Sequence, residues 1–318
     1  MSVAKQGPPP IDAHRAASAE ARGAGRDPLV RWRDQRGGVL EGWCSRQLDL
    51  QSKAPDERGL LRAALKAELV ALQGGAGRVL YATFISPALL PNSDVENVLL
   101  GNVDTFGGSF AHVTALGVAF EFWPENPSAL PGALSLECCS VYELDEPDRA
   151  SRRWQEEEVL ASWDRVPVPS LQTATRSPPV WWELRHGKAV VSIPKTKPPR
   201  FAVHLVVHVP AGQSVNAAGK VKVAVDAAVL ALTCSDGALT AKGLTIFAAA
   251  VGQPVDRVRA VLEDRSRAVF GASRAVTAGG NADPPDAGCY RGSLIVRPDG
   301  SGAWALSGRV VVLEPKIG

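Results

Sequence analysis

The chain has 318 residues, of which 45% are hydrophobic and 21% charged, and a formal net charge of +2 that is too small to announce a polyanion partner. Its length allows one large core or two ordinary domains. Five cysteines (Cys44, Cys138, Cys139, Cys234 and Cys289) form no CxxC pair, and their odd number argues against a disulfide framework and for a reducing, cytoplasmic setting. The first residues lack the apolar core of a signal peptide, and no run approaches the roughly 20 apolar residues of a membrane span, so no membrane contact is expected.

Residues 1–28 are rich in Ala, Gly, Pro and Arg and read as a flexible leader. Order is expected to begin around Trp32, Val39, Leu40 and Trp43. Asp56-Glu57-Arg58 opens a helix in which Leu60, Leu61, Ala64, Leu65, Leu69 and Leu72 recur at helical spacing, with Gly74-Gly75 as its stop. Arg78 to Pro87 reads as a core strand. Beyond it, the stretch from Asn92 to Asp104 crowds Asp94, Glu96 and Asp104 into a loop and the start of a helix. Asp94 would cap that helix, which carries Val95, Val98, Leu99, Val103 and Phe106 on one side. Two strand-like runs, 113–123 with Glu121 in it and 134–144, complete a small sheet. Residues 146–179 read as a bridging segment, with a surface helix or connection over 145–164 and a loop after it. The second unit then runs through the basic tract Lys195, Lys197, Arg200, a confident strand at Phe201–Pro210 and a buried helix after Lys220. A buried element at 244–251, a helix at 254–269 and strands at 290–296 and 308–315 close the chain.

The second half echoes the first. Pro87 precedes Asp104 by 17 residues and Pro210 precedes Asp226 by 16, while Asn92 and Asn216 lie five and six residues beyond the two prolines. The expected fold is therefore α/β (α+β): two related small mixed-sheet units, 29–145 and 180–318, packed as a pseudo-dimer so that each sheet face gains a partner. Charge is segregated as well. Residues 119–164 carry a local net charge of −8 and residues 165–222 one of +8, so the blocks either attract each other or face a charged partner.

Asp94 and Glu96, two apart just before a helix, offer hard oxygen ligands of the kind Mg²⁺ takes, and Glu121 in the next strand is the nearest third carboxylate. An ion held there would stabilise charge on a phosphodiester and activate water. Asp94 equally suits a plain helix cap. Lys195, Lys197, Arg200, Lys220 and Lys222 form the candidate phosphate-binding face for DNA or RNA, although a lysine in an alternating tract also suits a solvated face. His204 and His208 share a strand face but are separated by about 13 Å of extended chain, too far to chelate one ion. No phosphate-binding P-loop, nucleophile elbow or dinucleotide fingerprint is present.

The stretch Asp94, Glu96, Asn97 followed by Asp104 resembles the signature of RusA-type Holliday junction resolvases, an Asp-x-Asp-Asn run followed by a lysine and a later aspartate. In that register the family lysine falls on Leu100. In the second half Lys222 matches the lysine and Asp226 the later aspartate, but Asn216 and Ala218 stand where the acids belong. The resemblance covers some 30 residues in each half. It implies homodimeric, magnesium-dependent cleavage of branched DNA, here with a different part eroded in each copy. Two readings stay open: a nucleic-acid-binding, Mg²⁺-dependent endonuclease, and a non-enzymatic protein-interaction or assembly component on a nuclease-like scaffold.

Overall fold

The computed structural model describes residues 28–33, 38–49, 56–72, 77–90, 93–105, 108–127 and 136–316; the expected leader up to residue 27, Asn92, Phe106 and the Gly74-Gly75 stop lie outside them. The chain is a mixed α/β protein built on one ten-stranded sheet. Its strands are β1 (Leu29–Trp32), β2 (Val39–Cys44), β3 (Val79–Ser86), β4 (Gly117–Pro124), β5 (Cys138–Asp145), β6 (Trp154–Pro167), β7 (Ala189–Val191), β8 (Phe201–Pro210), β9 (Cys289–Asp299) and β10 (Ala305–Pro315). The helices are α1 (Glu57–Leu69), α2 (Pro178–His186), α3 (Val221–Ala231), α4 (Ala241–Val251) and α5 (Val255–Glu263). Among the described residues no helix is long and apolar enough to cross a membrane.

Alternation along each strand decides what the two sheet faces do. In β8, Phe201, Val203, Leu205, Val207 and Val209 are buried in the main core, while His204, Val206 and His208 point the other way. Leu40, Leu80, Phe84, Phe120, Phe122 and Leu294 take the same side as those β8 residues, and the apolar sides of the helices close over them. α1 begins as the sequence predicts, with Asp56 accepting from the backbone N–H of Arg58 at 2.7 Å and Gly59 at 3.1 Å. Leu61, Leu65 and Leu69 then form its buried stripe. Gly42 lets that stripe approach the sheet, since a Cβ there would stand 2.9 Å from Leu65 Cδ2. The opposite face is polar at its centre. There Glu156 receives Arg291, Arg309 and His204, and four arginines (149, 291, 297 and 309) line a shallow groove of about 510 Å³. All five cysteines are buried free thiols, with Cys138 and Cys139 on opposite faces of β5.

The strand order is β1-β2-β5-β3-β4-β9-β8-β10-β6-β7. On one side of its centre, β2 and β5 pair antiparallel, β5 and β3 antiparallel, and β3 and β4 parallel. On the other side, β6 and β10 pair antiparallel, β10 and β8 antiparallel, and β8 and β9 parallel. The senses run identically outward from the middle, where β4 and β9 pair antiparallel. The order β2-β5-β3-β4 thus faces β6-β10-β8-β9.

One expectation changes. The acid-rich run after Asp145 forms β6, a 14-residue interior strand, and neither a surface helix nor a bridge. Its acids favour a helix locally, but pairing with β10 and β7 and the bases gathered at Glu156 override that preference. Within the expected bridge, 146–179, β6 occupies Trp154–Pro167 and α2 begins at Pro178.

The β4·β9 junction tolerates no side chain at Gly292, where a Cβ would stand 2.4 Å from Phe120 Cζ and 3.0 Å from the Val203 carbonyl. Gly292→Val is expected to lower stability by about 1–3 kcal/mol, the usual cost of overpacking. Gly300→Ala, with nothing within 4 Å, should leave the urea midpoint in place. Equal midpoints for the two variants would contradict this packing.

Candidate metal centre

Both echoed stretches lie on the helical side of the sheet, and they meet there. β3 ends at Ser86, and the chain returns as a helical run from Val95 whose first bond is Val98 N–H to the Asp94 carbonyl, 3.1 Å. The run then widens into a π turn, with Asn102 N–H donating to the Asn97 carbonyl at 2.6 Å, and buries Val98, Leu99 and Leu100. Tyr142 in β5 fixes it by donating to the Leu99 carbonyl at 2.7 Å. In the second half β8 leads into α3, whose alanine-rich sequence is buried on most sides. Lys222 and Asp226 stand one turn apart on α3. Asp286 arrives from a short 3₁₀ turn, Asp286–Gly288, directly ahead of β9.

Four carboxylates from these three places surround one ammonium. Lys222 Nζ lies 2.7 Å from Asp94 Oδ2, 2.7 Å from Asp226 Oδ1, 3.2 Å from Asp286 Oδ2 and 3.3 Å from Glu96 Oε1. The side chain of Glu96 is 2% exposed, and its Oε1 makes no hydrogen bond. One oxygen each of Asp94, Glu96 and Asp286 lie within 4.8 Å of one another, close enough to share an ion. Asp94 does not cap its helix with its side chain. Its Oδ2 accepts instead from Asn97 Nδ2 at 2.8 Å and from Lys222.

Such a group cannot be fully ionised without a large excess of negative charge in a half-dry site. Burial pushes Glu96 up to about 7, Lys222 pulls it back, and Asp94 and Asp226 push again. Burial raises Asp286 to about 9 against the same opposing lysine, and it raises Asp226 as well. For Lys222 desolvation works against the charge, but the four acids, Glu96 foremost, outweigh it and hold the ammonium well above its usual range. The donor set is all carboxylate, which suits a hard divalent cation such as Mg²⁺ or Mn²⁺. The buried Glu96 oxygen without a hydrogen bond is the atom such a cation would satisfy.

The other residues singled out in the sequence fall elsewhere. Glu121 is not the third ligand. The alternation of β4 puts it on the opposite sheet face, where it accepts from Ser151 Oγ at 2.7 Å, and Asp286 takes the place expected for it. Asp104 accepts from the backbone N–H and the hydroxyl of Ser109, at 2.7 and 2.8 Å, and Leu100 is core. The five basic residues do not form one face. Lys222 sits in the acid group, and Lys220 donates to the Ala174 carbonyl at 2.7 Å. Arg200 lies over the Trp154 ring at 5.8 Å, in a small cluster on the far face, and Lys195 and Lys197 are exposed in the connection before β8. His204 and His208 serve separate networks, His204 with Ser293 and Glu156 and His208 with Ser307. Asp286, which sequence reasoning missed, lies 190 positions after its nearest partner in the first half. Its only local signal is the turn-forming run Asp283-Pro284-Pro285-Asp286-Ala287-Gly288. No family model, curated protein or solved structure matches the chain.

The raised acids have a consequence for stability. Asp286 holds its proton in the folded chain to about pH 9, against an ordinary 3.8, so its contribution is complete below about pH 3.8 and is lost as pH rises toward 9. Asp286→Asn removes that loss. Its melting temperature should match wild type below about pH 3.8 and exceed it progressively up to about pH 9. A gap that stays constant or shrinks across pH 5–9 in scanning calorimetry would show that Asp286 is not held protonated.

Proposed function

We propose that the chain is a metal-dependent nuclease of branched nucleic acid, built from two copies of one small α/β unit. Its single centre combines the acids of the first copy with the lysine and aspartate of the second. The observation that carries this reading is the direct contact of Lys222 with Asp94, across 128 positions of sequence. Each echo lost a different part of the RusA-like pattern, and the parts that remain complete one another. The matching strand orders around β4·β9 support the duplication, since a two-fold pairing of edge strands is how identical units share one sheet.

Asp94, Glu96 and Asp286 would hold the ion. When bound, it supplies Lewis-acid stabilisation of a phosphoryl oxygen and a water of lowered pKa. Lys222, 34% exposed, presents its ammonium to a phosphate oxygen at the rim of the acid group. Asp226 and Asp286 hold that ammonium in position. Without an ion Glu96, brought to about 7, is partly protonated near neutrality, so it would release that proton on holding one. The arginine-lined groove belongs to the other sheet face and takes no part in this step.

One observation favours a second reading, a non-enzymatic interaction or assembly component. Lys222 already compensates the acids from within, so the group also works as a clamp that ties the two halves together.

Calorimetric titration with Mn²⁺ separates the two. The nuclease reading expects one ion to bind wild type and affinity to fall at least about tenfold in Glu96→Gln and Asp94→Asn, with Glu121→Gln unaffected. With Mg²⁺ or Mn²⁺ a four-way DNA junction should be cut, and Asp94→Asn should abolish cutting while melting as wild type does. Binding to the junction should weaken steeply with added salt. Absence of Mn²⁺ binding by wild type, both free and with junction DNA bound, would leave the clamp.

A further inference from the structure

A pocket of about 190 Å³ opens beside the acid group, with Lys222 and Asp226 in its wall. Facing them are Thr175, Arg176 and Ser177, in the turn ahead of α2, and Asn281, in the turn ahead of Asp286. Asp226 already accepts from Lys222 at 2.7 Å, and each of the uncommitted side chains here can donate a hydrogen bond, Arg176 as a donor only. Among the described residues, the side chains of Thr175, Arg176, Ser177 and Asn281 make no hydrogen bond or ion pair. Ser177 stands out among them: it is 6% exposed, lines the pocket and precedes α2, yet its hydroxyl does not cap that helix. With no partner in the protein and not sealed from solvent, that hydroxyl opens on the pocket and is available to a ligand. Two prolines open α2, which removes its first backbone donors and leaves recognition to side chains. The positive end of the helix nonetheless points at the pocket.

We infer that this pocket is a phosphate subsite, which takes a backbone phosphate of the nucleic acid next to the one at the acid group, with Arg176 as its anchoring charge. A phosphate offers several acceptor oxygens to converging neutral donors and one guanidinium, which matches the lining, and Lys222 bridges the two sites. The identity of the ligand rests on the nuclease reading; the anion preference rests on the pocket itself.

The test titrates the full chain with inorganic phosphate by calorimetry and then lets oligothymidylate compete. Wild type should bind phosphate at millimolar concentration or tighter. Arg176→Ala, at an exposed position, should weaken binding at least fivefold, and Ser177→Ala by a smaller measurable factor. Arg297→Ala, on the other sheet face, should change nothing. Oligothymidylate should displace the phosphate. Equal affinity in wild type and Arg176→Ala, no phosphate binding at all, or no competition by the oligonucleotide would overturn the subsite. The Mn²⁺ titration reports separately. If Mn²⁺ binds through Glu96 while phosphate ignores Arg176, only the subsite falls. If phosphate needs Arg176 while Mn²⁺ never binds, the nuclease reading falls and the pocket remains an anion site.

Discussion

Strands β4 and β9 pair antiparallel from Gly117 opposite Ile295 to Glu121 opposite Arg291, and the remaining architecture follows from that contact. It turns two five-stranded arrangements into one sheet with one helical face. Because both halves must lay their helices on that face, the segments after β3 and β8 are brought together over the middle. There Asn216 accepts from Thr114 at 3.1 Å and Lys222 reaches Asp94. Gly292 and Gly117 mark how tight the seam is: a Cβ at either would collide with the strand across it, Gly117 with the Leu294 carbonyl at 2.6 Å. Gly117 also holds φ at +135°, a region that only glycine occupies at little cost.

The charge group is a second constraint, and it is an expensive one. Four acids and a lysine at the edge of a buried core are not the cheapest way to join two halves, since apolar residues of similar volume often do so at equal or better stability. The surrounding protein mitigates the cost by protonation, visible in the raised Glu96 and Asp286, and by holding Lys222 charged. Elsewhere the chain solves the same problem differently. Glu156, on the other face, is held down at about 2, chiefly by the hydrogen bond to His204 and further by Arg291 and Arg309. One acid there meets several bases, whereas at the centre several acids meet one base. At the centre, Asp94, Glu96 and Asp286 bring their oxygens within 4.8 Å of one another, close enough to hold an ion.

Much of this was legible in the sequence, for identifiable reasons. The leucine spacing of 60–72 and the cap at Asp56 specify α1, and the dense β-branched run 201–210 specifies β8, because each signal is local and strong. Asp94 and Glu96 stand out as acids at the junction of a strand and a helix. Lys222 and Asp226 emerge only by comparing the two halves. Glu121 was readable and misplaced: Val118, Phe120 and Phe122 claim the helical face, and strand alternation sends Glu121 to the other. β6 was not readable as a strand, since the bases that justify its acids come from β8, β9 and β10. Asp286 was hidden for the same reason. No periodicity or spacing links a turn before β9 to a helix start after β3.

The sheet order also sets a timetable for folding. β4 acquires its neighbour β9 only from residues 170 positions later, as in the pair Glu121 and Arg291. At about 5–20 residues per second of synthesis, that is a wait of roughly 10–30 s after β4 emerges. Throughout it β4 is an open edge carrying Val118, Phe120 and Phe122, the kind of strand that recruits other chains. β8 waits likewise for both of its neighbours, β9 and β10. The long-range pairing predicts slow, non-local folding, with the nascent first half as its most aggregation-prone species.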